Sequence, residues 1–132
     1  MNQLQNFSAP VGRIFLSMIF VMSGLTKISQ YAGTQGYMES MGVPGFLLPL
    51  VIFTEVVAGL AVLLGWQARL AALGLAGFSV LSAILFHSDF SSQAEMTNFM
   101  KNITIAGGLL VIVAHGAGAF SIDNRLKANK VA

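Results

Sequence analysis

Residues 43–64 read VPGFLLPLVIFTEVVAGLAVLL, and Glu55 is the one charged residue among these 22. The run is close to the ~20 residues a helix needs to cross a bilayer, so it predicts a membrane span with a carboxylate buried in it. An intramembrane ionisable group left uncompensated costs several kcal/mol and is by default a functional-site hypothesis. The competing reading is an ion-pair network that fixes helix register.

The rest of the chain agrees with a membrane protein. Of 132 residues, 55% are hydrophobic and 9% charged, against about 25% charged in soluble domains. Apolar segments at about 11–28, 46–66, 70–86 and 103–120 predict an all-α, four-helix transmembrane bundle forming one domain over 1–132. The runs are continuously apolar, which argues against a β-barrel. Small residues, such as Gly107, Gly108, Gly116 and Gly118 in the fourth segment, favour close helix packing where lipid supplies no hydrophobic drive. The first segment is read as a span and not a signal peptide, because Met1–Pro10 lacks a basic n-region and no A-x-A-like site follows.

Basic residues set the expected orientation. With the N-terminus inside, Arg13, Arg69, Arg125, Lys127 and Lys130 share the inner side with Asp123. Lys27 and Lys101 lie outside with Glu39, Asp89 and Glu95, so both termini are expected in the cytoplasm. Arg13 reads as an interfacial anchor, as do Trp66, Tyr31 and Tyr37. Nucleic acid is not an expected partner, since the net charge is +2 and the basic residues are dispersed apart from a short C-terminal cluster. The partners expected are the lipid bilayer, a redox partner protein and further copies of this chain.

This topology puts Lys27, His87, Lys101 and Asn102 at one end of the bundle. Glu55 lies on the order of 9 to 13 Å deeper, depending on whether its helix starts at Pro49 or Phe46. Both lysines have stems long enough to reach it, giving a carboxylate flanked by two ammonium groups. Arg13, Ser17, Phe20, Gly24 and Lys27 share one helix face, and Lys101, Thr104, Gly108, Val111 and His115 another; both faces are expected to turn inward. His87 and His115 are too far apart to hold one haem or metal within a protomer. No cysteine is present, so thiol redox chemistry and iron–sulfur clusters are excluded. Metal ligands are expected nowhere, and there is no self-contained catalytic motif.

Three stretches carry a family resemblance: FVMSGLTK at 20–27, EVVAGLAVLLG at 55–65 and FMKNITIAGGLL at 99–110. Together with an arginine early in the first helix, they resemble the DoxX family. The loop YAGTQGYMESMGVPGFLLPL at 31–50 and the ending GAGAFSID at 116–123 resemble an inner-membrane branch of it, and the likeness covers nearly the whole chain. The resemblance implies a small four-helix inner-membrane protein, in a family named for a subunit associated with an archaeal terminal quinol oxidase. The matching positions are Arg13, Gly24, Lys27, Glu55, Gly59, Lys101, Asn102 and Gly108. Membership alone makes none of them catalytic, and the chain would be at most an oxidoreductase subunit.

Three functions follow as expectations. In the first, an accessory redox subunit binds a quinone among Lys27, Glu55, Lys101, Asn102 and His87, with Glu55 as candidate proton carrier. A second is a membrane scaffold whose ion pairs are complete and whose interior is filled. The third is a small oligomeric transporter, which requires a polar path from Glu55 toward Ser17 and His115.

Overall fold

The computed structural model describes residues 3–131, with side chains through residue 129. Met1 and Asn2, and the side chain of Lys130 counted in the charge tally, lie outside the described residues. Six helices are described: α1 (Gln3–Ser29), α2 (Tyr31–Ser40), α3 (Gly45–Leu64), α4 (Ala68–Phe86), α5 (Gln93–His115) and α6 (Ile122–Val131). Four of them, α1, α3, α4 and α5, are long and apolar enough to cross a membrane. Among the described residues there is no strand. Each spanning helix packs on two others, in the ring α1–α3–α4–α5–α1.

The spans start where local chemistry favours a helix. Chain direction reverses after α3 because Gly65 takes the left-handed conformation, φ +73°, which only glycine adopts without strain. Its N–H donates to Val62 O at 3.2 Å and the Trp66 N–H to Ala61 O at 2.8 Å, the paired bonds of a Schellman stop. This helix therefore ends at Leu64, before the expected Trp66. At its other end, Pro49 sits in the first turn after the 3-10 turn Gly45–Leu47, where its missing N–H costs nothing. Helix α5 starts at Gln93, ahead of the expected residue 103, because Ser92 caps it by accepting from the Glu95 N–H. SQAE at 92–95 is the S-x-x-E capping signature, and residues 93–102, which precede the expected fourth span, are helical.

The core is built from small residues. On α4, Ala68, Ala72, Ala76, Ser79 and Ala83 follow steps of four, four, three and four, and all are buried. Leu75, Leu109 and Val62 fill the space between them and the neighbouring helices. On α1 the buried residues are Arg13, Ser17, Phe20 and Gly24, the inward face expected for that helix. On α5 the expectation is overturned: Lys101, Thr104, Val111 and His115 are exposed, while Ala106, Leu109 and Ile112 are buried. With apolar and small residues on all sides of this helix, periodicity does not separate its faces. Close fit to α4 selects alanine and leucine instead.

Candidate functional site

Helix α3 does not run as a regular α-helix through its middle. Residues Thr54–Ala58 form one turn of π-helix, an insertion that is rare and frequent at functional sites. Glu55 lies in this wide turn and is 3% exposed. Opposite it, α1 comes in close because Gly24 has no side chain. A Cβ there would stand 2.5 Å from Val56 Cγ2 and 3.3 Å from Glu55 Cβ. Gly59 does the same one turn further on, where a Cβ would meet Val21 Cγ2 at 3.0 Å.

This approach sets the charge pair. Lys27, one helical turn beyond Ser23 on α1, donates to Glu55 Oε1 at 2.6 Å and to Ser23 Oγ at 2.7 Å. Its side chain is 25% exposed and that of Glu55 4%. Lys101 does not join them; it is exposed and stands outside the cavity that Lys27 and Glu55 line. Among the described residues the carboxylate thus has one ammonium partner, not the expected two.

Lys27 and Glu55 form part of the wall of a cavity of about 420 Å³, within the 300–1,000 Å³ usual for small-molecule sites. His87 and Asn102 line it as well, so four of the five expected site residues share one cavity. Apolar side chains make up most of the remaining wall, among them Leu50, Leu81 and Phe86, with hydroxyls from Thr54, Ser79 and Ser82.

Helix α2 roofs it. Met38 is buried, Tyr37 stacks on Phe86 with centroids 5.6 Å apart, and Gln35 Nε2 donates to Gly45 O at 3.1 Å. Tyr37, expected as an interfacial anchor, thus also packs on α4 while 48% of it stays exposed. Burial, and then the nearby Glu95 carboxylate, push the Tyr37 phenol above its ordinary pKa. Glu95 also meets His87, its Oε2 lying 3.0 Å from Nδ1, which ties the end of α4 to the start of α5. The sequence reading missed the roof and the serines. Ser79 and Ser82, three residues apart in the otherwise apolar stretch 70–86, were the available signal.

Toward the termini the cavity is closed by the core around Phe20, Val62, Leu75 and Leu109. His115 is exposed beyond that core, and the buried Ser17 hydroxyl donates to its own helix at Ile14 O. A polar path from Glu55 toward them is absent among the described residues.

A second polar cluster sits at that far end. Arg13 is not an interfacial anchor; it is 3% exposed. Its Nη1 donates to Val62 O at 3.1 Å and Leu63 O at 2.8 Å, and Nη2 donates to Phe120 O. The last carbonyls of a helix lack intrahelical donors, and the guanidinium fork supplies them. Asp123 answers at the start of α4, accepting from the Gln67 N–H at 2.7 Å and the Ala68 N–H at 2.9 Å. Arg13 and Asp123 together clasp the chain after α5 onto the α3–α4 turn.

Comparison with known proteins finds relatives named as inner membrane proteins. The family model described as DoxX matches residues 9–88. Over 126 residues the chain is 50% identical to the inner membrane protein YqjF of Escherichia coli K12, covering 96% of this chain and 97% of that protein. It is 34% identical over 122 residues to the inner membrane protein YphA of the same organism, covering 87% of each. No solved structure matches.

Proposed function

Because the chain belongs to the DoxX family, we propose that it serves as an accessory subunit of a quinone-linked membrane redox system. It sits in the inner membrane with both termini in the cytoplasm, and it holds a quinone or similar flat, oxygen-bearing molecule in the cavity beside Lys27. One observation carries this reading. An ammonium group has three donors; two of those on Lys27 go to Ser23 and Glu55, and the third is left for a molecule in the cavity. A quinone oxygen accepts such a bond, and Asn102 and His87 on the same cavity offer partners to a second oxygen. Glu55 fixes the lysine and is the candidate carrier of the proton that accompanies electron transfer. Electrons come from a partner protein, since the chain has no cysteine and its two histidines lie at opposite ends of the bundle.

The completed Lys27–Glu55 pair also favours a second reading, in which it pins a scaffold and binds nothing. Calorimetry in lipid nanodiscs separates the two, using short-chain ubiquinone and menaquinone analogues. Trp66 lies at the far end of α3 from the cavity, so its fluorescence is a poor reporter. The redox reading expects saturable binding that weakens at least tenfold in Lys27→Gln/Glu55→Gln, a double variant that keeps an amide pair in place of the ion pair. No saturable binding to the wild type would leave the scaffold.

A further inference from the structure

The cavity has a side opening, and what lines that opening narrows the kind of molecule it takes. Helix α4 packs against α3 along Thr54–Ala58 and Gly59–Leu64, but hardly touches the first turns, Leu48–Phe53. The two helices run together from their turn at Gly65 and part beyond the π-helical turn. Leu50, Leu81 and Leu85 line the cavity at this gap and are 61%, 54% and 39% exposed, so one flank of each faces the surroundings of the helix bundle. Above the gap α2 closes the cavity through the Tyr37–Phe86 stack. On the opposite side α1 and α5 meet less closely, with Leu16 over Gly108, and Ile19, which is 52% exposed, lines the cavity there beside Ile105 and the polar Ser23 and Asn102. Of the two flanks, the one between α3 and α4 is walled by leucines alone at its mouth, which makes it the better route for an apolar tail.

Size points the same way. A cavity of about 420 Å³ lies in the lower half of the range usual for small-molecule sites, which suits one substituted ring with a long chain continuing outside it.

We infer that the ligand is a membrane-borne amphiphile whose polar ring sits against Lys27 and whose apolar tail leaves between α3 and α4 over Leu50, Leu81 and Leu85. This rests on the cavity being a ligand site, as proposed above, and adds the tail as a recognised part of the ligand. The leucines form a track that a tail follows into the bilayer, so binding and loading proceed from lipid, under a roof that stays shut.

The test uses two probes with one quinone ring, either without a tail or with a ten-carbon tail, in nanodiscs holding the full chain. Affinities are referred to the concentration of each probe in the membrane, which removes simple partitioning. Leu50→Trp and Leu81→Trp narrow the gap, and Leu60→Trp, exposed on α3 away from the cavity, serves as control. The wild type should bind the tailed probe at least tenfold more tightly. Read as the ratio of the two affinities within each protein, that advantage should fall most of the way to one in both gap variants and stay at the wild-type value in the control. Equal binding of the two probes, with no response to either gap variant, overturns the tail track and leaves the ligand site standing. Failure of both probes to bind the wild type removes the ligand site itself, and the tail track with it.

Discussion

Glu55→Ala should lower the stability of the folded bundle by roughly 2 to 3 kcal/mol, measured by thermal or denaturant unfolding in mild detergent. Removing one partner of a buried ion pair ordinarily costs about 3–5 kcal/mol. The lower figure applies here because the Lys27 side chain is 25% exposed, so its ammonium can swing out when the carboxylate is gone. Ser23 Oγ, 2.7 Å from Nζ, keeps part of its hydrogen bonding. Truncation at Glu55 also opens space in the one turn of α3 that is already irregular. Glu55→Gln retains an acceptor and should cost less than Glu55→Ala. Equal losses in the two variants would show that side-chain volume, and not the interaction with Lys27, sets the effect.

A larger loss is expected from Arg13→Met, about 3–5 kcal/mol by analogy with breaking a buried charge network. The change removes the guanidinium donors of the Leu63 and Phe120 carbonyls and leaves Val62 O only its bond from the Gly65 N–H. It also removes the charge that Asp123 faces while Asp123 still caps α4. Arg13→Lys should not restore the wild type, because a single ammonium lacks the planar fork that reaches two chain segments at once. Proteolysis gives an independent readout: cleavage after α5 should rise in Arg13→Met and stay at the wild-type level in Glu55→Ala. An Arg13→Met protein as stable as the wild type would mean that the clasp contributes nothing to the fold.

These two sites were legible to different degrees, for physical reasons. Four apolar runs of spanning length were plain, as was the isolated Glu55, because a charge in such a run has few places to go. Its pairing with Lys27 followed from helical register and stem length. Lys101 satisfied the same two criteria and yet is exposed, because α5 turns its alanine and leucine face toward α4. In a chain where every helix face is apolar, periodicity ranks faces poorly, and small-residue fit decides.

Arg13 shows the converse. It fell on the same stripe as Ser17, Phe20 and Gly24, all buried, so the register already placed it inside. The anchor reading attended to its position near a helix end and overlooked the free carbonyls that α3 must leave at Leu64. The π-helical turn had no signal in the sequence; it arises where Gly24 and Gly59 let two backbones meet. The roof formed by α2 was hidden as well, since a stretch rich in Gly, Tyr and Met reads as loop until Met38 and Tyr37 find surfaces to cover.

The claim that a quinone-like molecule occupies the cavity beside Lys27 is tested most directly by photolabelling. A quinone analogue with a light-activated group on its ring would be bound to the wild type in nanodiscs, irradiated, and its attachment sites mapped by mass spectrometry. Labels should concentrate on the cavity wall, around Ser23 and Lys27 of α1, Val51 to Glu55 of α3, and Ser79 to Phe86 of α4. An excess of unlabelled quinone should abolish them. Labels spread over the lipid-facing residues, or unchanged by the competitor, would contradict the account.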